Sequence, residues 1–170
     1  TATLESGRPN LCQERLSLER LVAAVAEEFT ERAAEHGVRL SQSVPAGLTI
    51  SADAAATRTV LRNLLENALR ASASGGEIRL RGRARDRLVE LEVADDGVGF
   101  EPAEAKRLFE KFYRPGDELR RTGRGTGLGL YVVRRFVELE RGRVTASSPG
   151  PGRGATFTVA WPAAASEQAS

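Results

Sequence analysis

The segment Ile78-Arg-Leu-Arg-Gly-Arg-Ala-Arg-Asp-Arg-Leu-Val-Glu-Leu-Glu-Val93 contains two stretches in which apolar and charged residues alternate. Alternation of this kind is typical of a β-strand with one buried and one solvated face. If the two strands pair antiparallel around Arg85-Asp86, the arginines of the first face the glutamates of the second, and each cross-strand pair contributes roughly a few tenths of a kcal/mol. The segment therefore predicts a β-hairpin that buries one face.

Helices and further short strands are predicted on both sides of this hairpin. Apolar residues at helical spacing predict the helices, which we place at residues 17–37, 53–71, 102–109 and 126–141. Shorter runs with strand character lie at residues 38–44, 48–51, 143–147 and 155–161. This mixture predicts an α+β fold, a two-layer sandwich in which about three helices cover one face of a mostly antiparallel mixed sheet.

Composition excludes several classes of protein. With 170 residues, 41% of them hydrophobic and 28% charged, the chain fits one globular domain. A net charge of +2 gives no reason to expect nucleic acid or an anionic membrane as a partner. A single cysteine, Cys12, and a single histidine, His36, argue against a disulfide framework, a cysteine-ligated zinc site or a histidine-rich metal site. No apolar run reaches the length of a membrane span.

Both ends of the chain are expected to lie outside the domain, which we place at residues 17–162. Residues 1–16 show no periodicity, and we interpret them as a linker or the frayed end of a preceding element. Residues 163–170 are of low complexity and are expected to form a disordered tail. Because the sequence contains no methionine, not even as its first residue, we expect it to be a processed product or a piece of a longer protein.

The predicted helix 53–71 carries the first candidate site residues. Asn63, Asn67 and Arg70 are spaced i, i+4 and i+7, so they share one helical face. Asparagine is less favourable than alanine inside a helix by about half a kcal/mol, so two asparagines on one helical face suggest a functional role. An asparagine carbonyl suits Mg²⁺ and an arginine suits phosphate. A polar stripe facing solvent explains the pattern equally well.

Two glycine-rich segments supply the other candidates. Asp95-Asp-Gly-Val-Gly99 follows a buried strand, so its glycines would admit a planar ligand and its carboxylate could accept a hydrogen bond from an exocyclic amine such as that of adenine. A tight turn explains it as readily. Gly123-Arg-Gly-Thr-Gly-Leu-Gly-Leu130 opens a helix and follows a long polar loop at residues 114–125, so it indicates either an anion site or a flexible hinge. It matches neither the P-loop nor the dinucleotide-binding motif.

Taken in order, five segments resemble the boxes of the GHKL ATPase superfamily (gyrase, heat-shock chaperone, histidine kinase and MutL), in particular its histidine kinase branch. The resemblance covers roughly residues 17–162 and implies the Bergerat fold with ATP and Mg²⁺ as cofactors. The matching segments are Asn63-Leu-Leu-Glu-Asn67-Ala (asparagine box), Asp95-Asp-Gly97-Val-Gly99-Phe100 (first glycine box), Leu108-Phe109-Glu-Lys-Phe112-Tyr113-Arg114 (phenylalanine box), Gly125-Thr-Gly127-Leu-Gly129-Leu (second glycine box) and Gly152-Arg-Gly154-Ala-Thr156-Phe157 (closing glycine box).

The resemblance implies a role for each matching residue. Asn67 would ligate Mg²⁺, and Asn63 and Arg70 would support the phosphate chain. The adenine-binding residues would be Asp95, Gly97 and Gly99, with Thr156 behind the aspartate. Residues 110–125 would form the ATP lid, from which Lys111 and Arg114 reach phosphate. The second glycine box would contribute backbone N–H groups and nearby packing through Gly125, Thr126, Gly127, Leu128, Gly129 and Leu130. The residues with a catalytic role would be Asn67, Asn63 and Arg114.

One substitution within the resemblance implies a mechanism. Hydrolytic relatives place a glutamate, the base for an attacking water, at the position of Asn63, and an amide cannot take that proton. The domain is therefore expected to hold ATP without fast hydrolysis and to leave the γ-phosphoryl group for an external nucleophile. Glu66 is an alternative base on another side of the helix. His36 is followed by Gly37 rather than an acidic residue, so it does not resemble a phosphoacceptor.

The same resemblance implies the partners. The phosphoryl acceptor would be a histidine of the parent sensor kinase, in a dimerisation and phosphoacceptor domain before Thr1 to which residues 1–16 are the linker. That histidine would then pass the phosphoryl group to a response regulator. We expect this chain to be a monomeric cytoplasmic domain without membrane contact, and the parent to be a homodimeric membrane-bound sensor. The alternatives are a serine/threonine kinase of the anti-sigma-factor type and a non-catalytic nucleotide-binding module.

Overall fold

The structure of the chain, a computed structural model, describes residues 11–111, 113 and 129–164. The strands in this part of the chain are β1 (Glu14–Ser17), β2 (Arg39–Ser43), β3 (Thr49–Ala52), β4 (Glu77–Arg85), β5 (Leu88–Asp95), β6 (Arg143–Ser147) and β7 (Ala155–Pro162). The helices are α1 (Leu18–Glu35), α2 (Ala54–Ala71) and α3 (Gly129–Leu139), and two 3₁₀ turns lie at Pro102–Glu104 and Arg107–Phe109.

The predicted hairpin forms the middle of a five-stranded sheet with the order β2-β4-β5-β7-β6. β2 runs parallel to β4, and the other neighbours are antiparallel. The register places Arg81 opposite Glu92 and Arg83 opposite Glu90, as the alternation predicts, and the Arg83 Nε donates to Glu90 over 2.8 Å. The α+β prediction, with a mostly antiparallel mixed sheet, is confirmed.

The core lies between this sheet and the three helices. Each helix turns one apolar stripe inward, and the sheet meets these stripes with the buried residues of β4, β5 and β7. Leu64 of α2, Leu91 of β5 and Trp161 of β7 are all fully buried. Burying a side chain of the size of leucine contributes roughly 1.5–3 kcal/mol, so this layer supplies the main stabilisation of the fold.

The ends of the domain are more ordered than their sequence indicates. The prediction that residues 1–16 lie outside the domain is wrong for the last three, because β1 pairs antiparallel with β3 from Glu14↔Ala52 to Ser17↔Thr49. The tail prediction is wrong for its first two residues. Ala163 donates its N–H to the carbonyl of Arg87, and Ala164 donates to that of Thr49. Strand pairing uses backbone groups, so segments this short need no side-chain pattern.

Two helix predictions also differ from the structure. The short helix at residues 102–109 is two separate 3₁₀ turns. At the end of α3 we expect Gly142 to be the stop, yet Arg141 is the residue in the left-handed conformation, with φ 65°. Gly142 is needed for another reason: a β-carbon there would lie 2.2 Å from the carbonyl oxygen of Ala160.

Arg141 provides a test of this helix end. An L-residue in the left-handed region costs about 1 kcal/mol that glycine does not, so Arg141→Gly should raise the free energy of unfolding by about that amount. Arg141→Ala is the control, because it removes the same exposed side chain and keeps the unfavourable backbone. Urea unfolding that finds the alanine variant as stable as the glycine variant contradicts the assignment.

Candidate functional site

The paired asparagines of α2 lie beside the first turn of α3. Asn63 is half-buried and donates its Nδ2 to the carbonyl of Thr59 over 2.9 Å. Its Oδ1 lies close to Gly129, because a β-carbon on Gly129 would be 3.1 Å from that oxygen. Asn67 is half-buried one turn further on, and Arg70 is exposed. Asn63 therefore lies at the start of α3, and the helical spacing places Asn67 on the same face of α2.

Asp95 ends β5 in a nearly closed environment. Its side chain is only 4% exposed, and Oδ1 accepts a hydrogen bond from the N–H of Gly97 over 2.8 Å. Oδ2 is buried and makes no hydrogen bond of ordinary geometry. Burial raises the pKa of Asp95 to about 6, against the opposing effect of the Gly97 and Ala155 amides. An unpartnered buried acceptor of this kind suits the N–H of a ligand.

The glycines after Asp95 let three segments of backbone meet. A β-carbon on Gly97 would lie 2.2 Å from the carbonyl oxygen of Ala71, at the end of α2. Gly99 has φ +59°, and a β-carbon there would lie 2.5 Å from the carbonyl of Gly150. The neighbouring Val98 donates its N–H to Ala71 and accepts from the N–H of Gly152. The first glycine box is thus held between α2 and the loop of the closing glycine box.

Ser148 is a structural part of this site that the sequence analysis missed. Its Oγ accepts hydrogen bonds from the N–H groups of Phe100 and Gly150, each over 3.2 Å, and lies 2.6 Å from the carbonyl of Gly154, to which it can donate. The hydroxyl therefore ties the segment after Gly99 to the loop at residues 149–154. A serine ahead of a Pro-Gly turn is too common a pattern to indicate this role.

Thr156 lies elsewhere than expected. The register of β5 and β7 places Ala155 opposite Asp95 and Thr156 opposite Ala94. Because side chains alternate along a strand, Thr156 belongs to the face of the sheet opposite the Asp95 carboxylate. The residue that shares the side of Asp95 is Ala155, which has no hydroxyl. The expectation that Thr156 stands behind the aspartate is therefore wrong, because Ala155, one position earlier, lies there.

The second glycine box and the lid are described only in part. Phe112, Arg114, Gly125, Thr126, Gly127 and Leu128 lie outside the described residues. Lys111 is exposed, with its Nζ 5.8 Å from the ring centroid of Tyr131 on α3. Leu130 packs against the core. Phe109 is buried with its ring edge-on to that of Phe157, so it has a packing role in this structure.

Glu66 and His36 both make hydrogen bonds away from this site. Glu66 accepts two hydrogen bonds from the guanidinium of Arg32 on α1, over 2.6 and 3.1 Å, and that pairing lowers the pKa of Glu66. A carboxylate tied to the neighbouring helix is not positioned as a base beside Asn63. His36 is the exposed C-cap of α1, with Nδ1 2.8 Å from the carbonyl of Arg32.

The sequence that contains these residues matches a known family. The model described as "Histidine kinase-, DNA gyrase B-, and HSP90-like ATPase" matches residues 52–165, more than half of the chain. The chain belongs to this family. The matched range contains both asparagines, Asp95 and the closing glycine box, and membership of this ATPase family supports ATP binding by the domain.

The relatives of this ATPase domain are sensor histidine kinases. The chain is 35% identical to the signal transduction histidine-protein kinase BaeS of Escherichia coli K12 over 142 residues, which are 84% of this chain and 30% of BaeS. It is 31% identical to the sensor histidine kinase TmoS of Ectopseudomonas mendocina over 169 residues, which are 99% of this chain and 17% of TmoS. The chain thus spans about a third or less of these relatives, and corresponds to their catalytic ATP-binding part.

Solved structures agree with this assignment. Full-length ShkA in complex with AMPPNP superimposes with a TM-score of 0.79 at 31% identity, over 92% of this chain and 32% of that chain. The mycobacterial sensor histidine kinase MprB matches with a TM-score of 0.78 at 23% identity, over 89% of this chain and 98% of that chain, and shows the same fold.

Two further properties concern the described residues of this ATPase domain. They contain no group of three histidine, cysteine, aspartate or glutamate side chains arranged to hold a metal ion. None of their helices has the length and apolarity needed to cross a membrane.

Asp95 provides a test by pH. Its pKa of about 6 in the folded chain lies above the value of about 3.9 in an unfolded chain, so the folded state keeps a proton that the unfolded state releases between these pH values. The stability that this proton gives is complete below about pH 4 and is lost as the pH rises through 6.

The nucleotide-free Asp95→Asn variant should therefore be more stable than the wild type by about 1–3 kcal/mol at pH 7.5, and the difference should shrink towards pH 4.5. Urea unfolding at the two pH values measures it. The exposed neighbour supplies the control, Asp96→Asn. A constant difference between the wild type and Asp95→Asn at both pH values contradicts the role of burial.

Proposed function

We propose that this domain binds Mg²⁺-ATP and transfers the γ-phosphoryl group to a histidine of the longer protein to which it belongs, from which a response regulator receives it. The unpartnered Oδ2 of the buried Asp95, next to a turn built from glycines, is the observation that carries the proposal. The relatives support it, because those compared are sensor histidine kinases. None of them favours the serine/threonine kinase or the non-catalytic alternative.

The adenine end of the nucleotide would meet Asp95. The ionised carboxylate offers Oδ2 to the exocyclic amine, while the Gly97 N–H holds Oδ1 and thereby fixes the orientation of the group. Gly97 and Gly99 leave no side chain between the base and the backbone. Burial in this position strengthens a hydrogen bond, because little water competes for it.

The phosphate end would lie between α2 and the start of α3. The carbonyl oxygen of Asn67 is the donor proposed for Mg²⁺, and within the described part of the chain its side chain makes no other hydrogen bond. Asn63 and Arg70, with Lys111 and Arg114 from the proposed lid, would contact the phosphates. The backbone amides of the second glycine box, residues 125–130, would add the positive end of the helix that follows. When bound, Mg²⁺-ATP supplies the phosphoryl group and part of the charge neutralisation.

Among the described residues beside the proposed phosphate position, none can act as the base that activates a water molecule for ATP hydrolysis. Asn63 is an amide whose nitrogen already donates to Thr59, and Glu66 is engaged by Arg32. An ATP molecule held here is therefore expected to persist until a nucleophile arrives. The nucleophile and its base belong to the proposed phosphoacceptor and dimerisation domain, which residues 1–16 would connect to this one. The parent is proposed to be a homodimeric, membrane-bound sensor with this domain in the cytoplasm.

Asn67→Ala tests the metal assignment. The variant should bind ATP at least about tenfold more weakly in the presence of Mg²⁺, because the proposed protein ligand to the ion is gone. In EDTA the wild type and the variant should bind alike, which calorimetry measures. Gln42→Ala, the loss of an exposed amide on the edge strand, is the matched control. An undiminished Mg²⁺ effect in the Asn67 variant excludes the assignment.

A labelling experiment tests phosphoryl transfer. The isolated chain should show little ATP hydrolysis. The longer protein, incubated with ATP labelled in the γ-phosphate, should acquire label that is stable to alkali and labile to acid, as a phosphoramidate bond is. The same protein with Asn67→Ala should remain unlabelled. Acid-stable label would indicate a serine/threonine kinase, and brisk hydrolysis by the isolated chain would indicate a hydrolytic branch of the family.

A further inference from the structure

Glu140 is a fully buried acid that the proposed phosphoryl transfer does not use. It follows the last residue of α3, and its Oε2 accepts a hydrogen bond from the N–H of Asp53 over 2.6 Å. Its Oε1 and the ring N–H of Trp161 are both buried without a hydrogen bond of ordinary geometry. Burial raises the pKa of Glu140 to about 7. A buried acid costs several kcal/mol where an apolar residue would not, so stability alone does not account for it.

Asp53 connects Glu140 to the start of the chain. It is the N-cap of α2, and its Oδ1 accepts from the N–H of Ala56 over 2.8 Å. Its Oδ2 accepts from the N–H of Cys12 over 2.7 Å. Cys12 belongs to residues 11–17, here called the leading segment. This segment ends in β1, which pairs with β3, the strand directly before Asp53. One aspartate therefore binds the leading segment with its side chain and Glu140 with its backbone.

The two ends of α3 contact two different points of α2. At its first residue, Gly129 lies against Asn63 in the proposed phosphate site. Just beyond its last residue, Glu140 holds the N-cap of α2. Asp53 and Asn63 are ten positions apart, which is about 15 Å along a helix. Because α3 is a continuous helix, a shift of its first turn against Asn63 would displace Glu140 relative to Asp53.

We propose that Glu140 is a positioning residue that couples the nucleotide site to the leading segment, through its hydrogen bond to Asp53 and the bond from Cys12 to Asp53. The coupling acts in both directions: nucleotide between α2 and α3 changes how firmly the leading segment is held, and displacement of that segment changes nucleotide affinity. This inference rests on the proposed function only in placing the nucleotide between Asn63 and α3.

Amide hydrogen exchange in the 170-residue chain tests the coupling. In the wild type, adding Mg²⁺ and AMPPNP should change the exchange rate of the Cys12 amide by about tenfold. In Glu140→Gln this response should disappear and exchange without nucleotide should be faster. The glutamine offers one acceptor oxygen, whereas the carboxylate now has two for the two buried N–H groups near it, those of Asp53 and of the Trp161 ring.

A second variant covers the case in which Glu140→Gln does not fold. Asp53→Asn keeps the helix cap, since asparagine caps as well as aspartate, but places an NH₂ group against the N–H of Cys12. It should lose the nucleotide response at Cys12 with little loss of stability. Fluorescence of Trp161, the single tryptophan, reports whether each variant is folded.

Glu138→Gln is the matched control, because Glu138 lies on the same helix, is exposed and pairs with Arg134 over 3.6 Å. It should behave as the wild type. An equal nucleotide response in the wild type and in both test variants, or no response in a wild type that binds AMPPNP, overturns the coupling. If the wild type binds no nucleotide, the proposed function fails separately. In that case the exchange rate of the Cys12 amide without nucleotide decides whether Glu140 holds the leading segment.

Discussion

The burial of one carboxylate at the end of β5 is the constraint around which the nucleotide end of this domain is arranged. Asp95 has two oxygens to satisfy, and only Oδ1 receives a hydrogen bond of ordinary geometry, from the amide of Gly97. To place that amide, the chain must turn immediately after the strand and pass within contact of the last carbonyl of α2, where no β-carbon fits. The glycines, the end of α2 and the closing loop are therefore consequences of holding one acid in place.

This arrangement exchanges stability for binding. The nucleotide-free domain carries a carboxylate whose second oxygen is unsatisfied, and the raised pKa of Asp95 expresses the cost of that state. In the proposed complex a ligand amine would relieve it, so part of the binding free energy would come from an unfavourable arrangement in the empty protein. Glu140 shows the same property in a second place, at the other end of the helix layer, where its unsatisfied oxygen lies in the core.

Side-chain pattern predicted the elements well and the ends of elements poorly. The alternation in β4 and β5 gave the hairpin with its register, and the spacing of Asn63 and Asn67 gave their common face. Thr156 was misplaced because a motif aligns residue types, whereas the direction of a side chain follows from strand register, which only the structure shows. Ser148 and Glu140 were missed because their roles depend on burial and on contacts between residues distant in sequence. The residue in the left-handed conformation after α3 is Arg141, whereas Gly142 was expected to end the helix.

The small sheet of β1 and β3 has a consequence for how such a domain can be combined with others. Ser17, at the end of the leading segment, lies opposite Thr49, and Ala164 donates its N–H to the carbonyl of that same residue. The polypeptide thus enters and leaves the domain side by side, on the backbone of one short strand. A module with adjacent ends can be inserted into a loop of another protein, or be circularly permuted, without opening its interior.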